Sequence, residues 1–331
     1  MELARKSPSF VKNYFHGSFH DLINMTTFHA HGKLLITGEY LVLKGALALA
    51  VPLNKGQTLS VSTSKEAGLT WRAETLKGLW FEIKFDDQLT VLESTDHKKA
   101  EMLQRILQKS VEQDPSIQEK LNYSTVTTLL EFDPNWGWGS SSTLLHLLEQ
   151  WLQIDPYELM DKTIGGSGYD IACAGAKEPV FYQRIKGEQP KITPTFFNPP
   201  FIRQMGIVYL NKKQTSSTQV KSFLESASIN KDLVKEISLL SQKIATEVDI
   251  HTFMNMMQQH ERLISLATGL MPVQQLLFSE FDGAIKSLGA WGGDFALFLS
   301  ENDYSASKKW FQSKGYPVVL PIEEVIINRE N

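Results

Sequence analysis

The sequence predicts an α+β protein built from two packed units. Three observations carry this. Strand-like and helix-like stretches are both abundant, yet they do not alternate one for one as a doubly wound parallel sheet requires. The chain has 331 residues, enough for two modest hydrophobic cores. A proline-rich stretch, KITPTFFNPPF at 191–201, separates the halves as a linker would. The expected division is an N-terminal extension at 1–27, a first domain at 28–190 and a second at 200–331.

The elements follow in order. Residues 1–24 lack the apolar core of a signal peptide, and Glu2 and Asp21 make a poor transit sequence. Met25 then opens MTTFHAHGKLLITGEY like a natural start, so the first 24 residues read as an appended leader, or else as a surface helix around Phe15 to Leu22. LLITGEYLVL, ALALAVPL and TLSVSTS read as successive strands over 33–63, separated by Gly, Pro and Lys signals. WRAETLKGLWFEIKF predicts a hairpin turning near Lys77-Gly78. KKAEMLQRILQKSVE at 98–112 has its apolar residues at helical spacing. YSTVTTLLEFDP is rich in β-branched residues and stops at Pro134, as a strand should. After Ser140, Leu144, Leu145, Leu147, Leu148, Trp151 and Leu152 form the stripe of a helix that ends before Asp155-Pro156. In the second half MGIVYL predicts a strand, and 218–227, 231–248 and 251–267 predict helices. AIKSLGAWGGDFALFL reads as a helix end, a glycine turn and a strand, and PVVLPIEEVII closes the chain.

Composition excludes several classes. The net charge is −4 with acids and bases mixed, and no basic stripe suggests a nucleic-acid partner. Glu39 and Lys44 interrupt the longest apolar run before it reaches the ~18 residues of a membrane span. Cys173 is the single cysteine, which rules out an internal disulfide and favours a reducing, cytoplasmic setting. The eight histidines show no metal spacing; His29 and His31 read as structural, and the Met and Leu stripe at 254–266 reads as core.

Five stretches point to chemistry. In HGKLLITGEYLVLKG, Lys33 and Glu39 stand inside otherwise buried β structure. In PNWGWGSSS, Gly137 and Gly139 open a turn and Ser140, Ser141 and Ser142 lead into a helix. Glycines admit a ligand close to the backbone, and a helix N-terminus offers free N–H groups to phosphate. The stretch is neither a dinucleotide fingerprint nor a Walker loop, and a serine-capped helix is the plain alternative. In TIGGSGYDIACAGA, Asp170 follows a crowd of small residues, where a carboxylate can orient or deprotonate a hydroxyl, or simply cap a turn. KSLGAWGGDFALF carries Gly289, Gly292 and Gly293 before a strand, a second close-approach loop or a tight turn. NKKQTSSTQV, with Ser216 and Ser217, can meet an anionic substrate or be a solvated loop.

Four of these, in this order, resemble the GHMP small-molecule kinases, the family of galactokinase, homoserine kinase, mevalonate kinase and phosphomevalonate kinase. HGKLLITGEYLVLKG is similar to the first family motif, PNWGWGSSS to the phosphate loop, GSGYDIA to the segment of the catalytic aspartate, and LGAWGGDFALF to the C-terminal glycine loop. The resemblance spans residues 28 to about 325, and the Gly-Glu-Tyr and Gly-Ser-Gly-aromatic-Asp forms lean toward the mevalonate and phosphomevalonate branch. It implies a two-domain fold: a ribosomal-protein-S5 domain-2-like N-terminal half and a ferredoxin-like C-terminal half, with ATP and acceptor meeting between them. It further implies that Gly137, Gly139, Ser140, Ser141 and Ser142 cradle the triphosphate of ATP, with Trp138 among them, and that Ser141 faces Mg²⁺. Asp170 is then the base or orienting carboxylate, Lys33 its cationic partner, and Gly289, Gly292 and Gly293 shape the cleft from the other domain.

The sequence departs from the family pattern in places. Trp138 replaces a leucine of the phosphate loop, Trp136 is equally bulky, and Trp291 replaces a glycine of the last motif. These aromatics are expected to reshape the nucleotide cleft, by stacking on the base or by blocking it. Asn135 stands where phosphomevalonate kinases often carry lysine. Glu39 is left open between a turn cap, a pair with Lys44 and the metal shell. The function implied is an ATP- and Mg²⁺-dependent kinase of mevalonate or phosphomevalonate in isoprenoid precursor synthesis, working as a monomer or homodimer. The alternatives are a kinase of a sugar, homoserine or another alcohol, and a non-catalytic ligand-sensing relative.

Overall fold

In the computed structural model, residues 25–185, 187–211, 231–289 and 294–327 are described. The leader, the helix expected at 218–227, Ser216, Ser217, Trp291, Gly292 and Gly293 lie outside the described residues. The first sheet starts from two long strands, β1 (Thr26–Thr37) and β2 (Ala48–Thr63), paired antiparallel with Leu34 opposite Val51 and Leu35 opposite Ala50. The register slips between His31 and Lys33 and again between Leu35 and Thr37. Such bulges re-aim the side chains that follow them, and the first of them falls at Lys33.

The sheet is completed by β3 (Leu69–Thr75), β4 (Gly78–Phe85), β5 (Val91–Ser94), β6 (Ser124–Leu130), β7 (Val180–Gln183) and β8 (Lys191–Pro194). Among the described residues it has eight strands in the order β5-β4-β3-β6-β2-β7-β8, with β1 added on β2. Only β3 and β6 pair in parallel; the other ladders are antiparallel. Helices α1 (His97–Gln113), α2 (Ile117–Leu121), α3 (Ser140–Leu152), α4 (Pro156–Lys162) and α5 (Tyr169–Ala174) belong to this half. Leu103, Ile106 and Leu107 of α1 and Leu145 and Leu148 of α3 share one core with Leu59, Trp71, Ile83 and Val126 of the strands. That apolar face holds α3 against the sheet, and so fixes where its N-terminus sits.

The second sheet is antiparallel, with β9 (Met205–Tyr209), β10 (Ala284–Leu288), β11 (Phe295–Leu299) and β12 (Val319–Pro321) in the order β10-β11-β9-β12. Helices α6 (Lys231–Thr246), α7 (Ile250–Thr268), α8 (Val273–Leu277) and α9 (Tyr304–Ser313) accompany it. Its two faces feed different cores. Val208, Ala296 and Phe298 pack with Phe278 and Phe311 on one side. Ile207, Leu297 and Leu299 pack with Ile244 and Phe253 on the other, in a cluster that also holds Leu34, Ile36, Leu49 and Val51 of β1 and β2. The largest apolar cluster therefore runs from one sheet to the other.

Four local expectations are corrected. LLITGEYLVL is not one strand: β1 stops at Thr37, Gly38 (φ +94°) and Tyr40 (φ +58°) turn the chain, and Leu41–Lys44 form a 3₁₀ turn. ALALAVPL and TLSVSTS are one strand, because β2 runs through Pro52 and Gly56 without a break. Ala284–Leu288 is a strand rather than a helix end; Lys286 and Ser287 hide its strand character in the sequence, and both are buried. The start of the proposed linker, Lys191–Pro194, pairs with β7 as an edge strand, where a terminal proline costs no ladder bond.

Candidate active site

The site grows from the bulge in β1. Beyond it, the Lys33 N–H donates to the Trp138 carbonyl at 3.1 Å, tying the strand to the loop that enters α3. Gly139 caps that helix with φ +95°, a left-handed conformation that costs a side-chain-bearing residue about 1 kcal/mol. A Cβ on Gly139 would stand 3.3 Å from Cγ and 3.4 Å from Cε of Lys33, so the lysine stem lies directly across this glycine. Thr143 N–H closes the first turn onto Gly139 O at 2.8 Å. The amides of Ser140, Ser141 and Ser142 thus have no acceptor within the helix and carry its positive dipole end.

Asp170 arrives from a different direction. It is the second residue of α5, after Gly168 at φ +88°. The preceding loop is pinned by the Tyr182 hydroxyl, which donates to Ser167 O at 2.6 Å. Its carboxylate Oδ1 is 3.4 Å from Lys33 Nζ, with the lysine side chain 11% and the aspartate side chain 30% exposed. Ser142 Oγ donates to Asp170 Oδ2 at 3.3 Å. Lys33 Nζ donates to the Tyr169 hydroxyl at 2.9 Å and lies 5.1 Å from the centre of that ring. Burial first, and then the charge of Asp170, push the Tyr169 hydroxyl well above the ordinary phenol range, so it stays neutral. Burial likewise raises the Cys173 thiol one turn further along α5.

The structure therefore brings Lys33, Asp170 and Ser142 together, at the end of α3 that also carries Ser140 and Ser141. Gly137 (φ +65°) faces the second sheet: a Cβ there would fall 1.9 Å from Asp294 Oδ2. Gly289 follows β10 at φ +67°, and among the described residues no atom lies within 4 Å of where its Cβ would stand.

Two assignments are corrected. Trp138 does not present its indole to the loop's outer face. It is 2% exposed, stacked on Phe295 at 5.5 Å, and edged by Trp136 at 4.6 Å and Phe132 at 5.7 Å. It fills the joint between the loop and β11, so it neither stacks on a base nor blocks one; only its carbonyl serves the site. Glu39 neither pairs with Lys44 nor faces the loop. It is buried, accepts from Lys286 Nζ at 2.5 Å, and has its other oxygen 3.1 Å from His260 Nε2. That nitrogen accepts from Gly38 N–H at 3.0 Å, which makes the ring neutral. Burial is the first cause of each shift in this cluster: Glu39 is raised, His260 lies well below its ordinary value, and Glu261 is pushed up to about 8.

Sequence reasoning missed Lys286, His260 and Glu261, and it missed Tyr169 as a partner of Lys33. None stands in a motif with its own spacing. The one available signal was Lys286 inside an apolar stretch, a charge that needs a buried partner.

A divalent cation fits the loop in a limited way. Among the described residues no three His, Cys, Asp or Glu side chains converge on a point. The Ser141 hydroxyl stands in the first turn of α3, and Asp170 Oδ1 is buried without a hydrogen-bond partner. One or two protein oxygens with the rest supplied by phosphate and water is a usual arrangement for Mg²⁺.

No protein-family model matches the sequence, and no curated protein matches it by sequence. Solved structures do match. Lactococcus lactis galactokinase complexed with galactose superposes with a TM-score of 0.65 over 90% or more of both chains, 93% of this one and 94% of that one, at 12% identity. Streptococcus pneumoniae phosphomevalonate kinase, in complex with phosphomevalonate and AMPPNP, gives 0.64 over 89% of this chain and 99% of its own, at 16% identity. L. major mevalonate kinase in complex with R-mevalonate gives 0.60 over 87% and 90%, at 14% identity.

The chain has the two-domain GHMP kinase fold.

At these identities the likeness is one of fold. Within the GHMP kinase fold, this chain places a lysine, an aspartate and a serine-rich helix start at one point. No helix among the described residues is long and apolar enough to cross a membrane.

Proposed function

We propose that this protein is an ATP- and Mg²⁺-dependent phosphotransferase acting on a small hydroxylated metabolite in the cytoplasm, most nearly mevalonate or phosphomevalonate. One observation carries the reading: the Lys33–Asp170 pair, 3.4 Å apart, stands beside the free N-terminal amides of α3. Phosphoryl transfer needs positioning and charge neutralisation rather than covalent chemistry, and those are what this arrangement supplies. The amides of Ser140 to Ser142 take the transferred end of the triphosphate. Gly137 and Gly139 let the backbone approach it. Lys33 offsets charge on the transferred group. Asp170 orients the acceptor hydroxyl and accepts its proton. Mg²⁺, when bound, would supply charge neutralisation for the phosphates; Ser141 is the residue that would hold it. Residues 28–190 supply this machinery, and 200–331 close the acceptor side.

Support for the acceptor class comes from the motif forms in the sequence and from neighbours complexed with mevalonate and phosphomevalonate. A galactose complex among the neighbours keeps a sugar acceptor in the test. ADP release is measured with ATP, Mg²⁺ and each of mevalonate, phosphomevalonate, galactose and homoserine. Turnover on one of the first two is expected, with Asp170→Asn and Lys33→Ala each lowering it by a factor of ~10² or more. Nucleotide binding without turnover on any acceptor, or wild-type rates in both variants, overturns the proposal.

A further inference from the structure

Asp294 carries a carboxylate from the second sheet onto the glycine loop that enters α3. A Cβ at Gly137 would stand 1.9 Å from Asp294 Oδ2 and 2.4 Å from its Cγ. The carboxylate therefore lies on the face of Gly137 where any other residue would carry its side chain. The contact is anchored from both sides. Asp294 O accepts from Leu210 N–H at 2.7 Å, and Phe295, the next residue, stacks on Trp138 at 5.5 Å. On the loop, Asn135 O accepts from the Tyr209 hydroxyl at 3.3 Å, and Trp136 meets Phe295 edge-on at 5.7 Å. The Asp294 backbone has φ +44°, a left-handed conformation that costs a non-glycine residue free energy and that clusters at functional sites. Its charge is felt nearby: burial first, and then Asp294, raise the Tyr209 phenol above its ordinary value.

We infer that Asp294 is a specificity-determining residue that makes the loop admit a Mg²⁺-bound triphosphate and refuse a bare one. The inference rests on the assignment of the loop from Gly137 to Ser142 to the triphosphate in the preceding section. Glycines and free helix amides by themselves favour any anion. A carboxylate fixed on the first glycine of that loop subtracts from this attraction, because like charges brought together cost affinity. The penalty falls hardest on the bare triphosphate, whose charge is highest. It is smaller once a divalent cation has cancelled part of that charge. The pull on phosphate comes from the first sheet's helix and the opposing charge from the second sheet, so the choice is made where the two meet.

Asp294→Asn keeps the shape of the side chain and tolerates the left-handed backbone while removing the charge. Calorimetry is run on both proteins with AMPPNP in excess Mg²⁺ and with AMPPNP in EDTA. The variant is expected to bind metal-free AMPPNP about tenfold more tightly than wild type does, with its affinity for the Mg²⁺ complex changed by less than about threefold. At about 1 M salt, where the Debye length is ~3 Å, the gain on the metal-free nucleotide is expected to shrink. A purely structural role for the contact would move both affinities together and would not respond to salt. Equal shifts for the two forms, no gain for the metal-free form, or a gain that salt leaves unchanged overturns the inference. A wild-type chain that binds AMPPNP in neither form overturns the nucleotide reading itself, and the inference with it.

Discussion

Lys286→Met tests what holds the two sheets together behind the site. The Lys286 side chain is 1% exposed and that of Glu39 is fully buried, at 2.5 Å from each other. Lys286 also donates to Ser287 O at 2.7 Å. Glu39 follows β1, whereas Lys286 is in β10 of the other sheet, so this pair bridges them. The closest other charged-type neighbour of Glu39 is the neutral ring of His260. Removing the ammonium leaves a buried carboxylate without compensation, a loss of about 3–5 kcal/mol. That is a large share of a typical stability of ~5–15 kcal/mol. Burial already raises Glu39 above the ordinary carboxylate range, so lowering the pH lets the variant take up a proton and recover. Urea unfolding at pH 8 is expected to show the full loss, and at pH 5.5 a smaller one. Glu39→Gln/Lys286→Met should be far less destabilised than the sum of the single variants, since it leaves no charge behind. A single variant within about 1 kcal/mol of wild type, or additive losses in the double variant, would refute the reasoning.

The neighbouring glutamate gives a pH test. Glu261 is raised from 4.5 to about 8, so between those values the folded chain binds more protons than the unfolded one, and stability falls as pH rises. His260 works the other way, but its contribution is complete above its unfolded value of 6.5. Glu261→Gln should therefore flatten the decline between pH 6.5 and 8, a slope of up to about 1.36 kcal/mol per pH unit; an unchanged slope in urea unfolding would refute the assignment. Gly137→Ala adds a Cβ where Asp294 Oδ2 lies 1.9 Å away, at φ +65°. Calorimetric affinity for AMPPNP should drop by about tenfold or more, whereas Gly78→Ala, at φ +107° in open space on the β3–β4 hairpin, should leave it unchanged. Equal affinity in the two variants would place the nucleotide elsewhere.

Local signals made much of this molecule legible. The α3 stripe, the β3–β4 turn at Lys77-Gly78 and the β-branched run of β6 are written within a few residues of themselves, because backbone preference and amphipathic period act over one or two turns. The loop from Gly137 to Ser142 was legible for the same reason: glycines followed by a helix start are a local backbone property. Where the sequence misled, the deciding contact was remote. Ala284–Leu288 read as a helix end because the partner that lets Lys286 be buried in a strand, Glu39, is 247 residues away. Trp138 looked like a ligand contact because its neighbour Phe295 belongs to the other sheet.

The sequence by itself thus determined the α3 helix, the β3–β4 turn, the β6 strand and the glycine turn before α3, and which residue types stand ready for phosphate chemistry. The tertiary structure alone decided which charges meet. It set Lys33 beside both Tyr169 and Asp170, buried Glu39 with Lys286, and turned Trp138 into packing. The physical reason is that a side chain's environment depends on groups brought near by folding, whose separation along the chain leaves no periodic trace in the sequence.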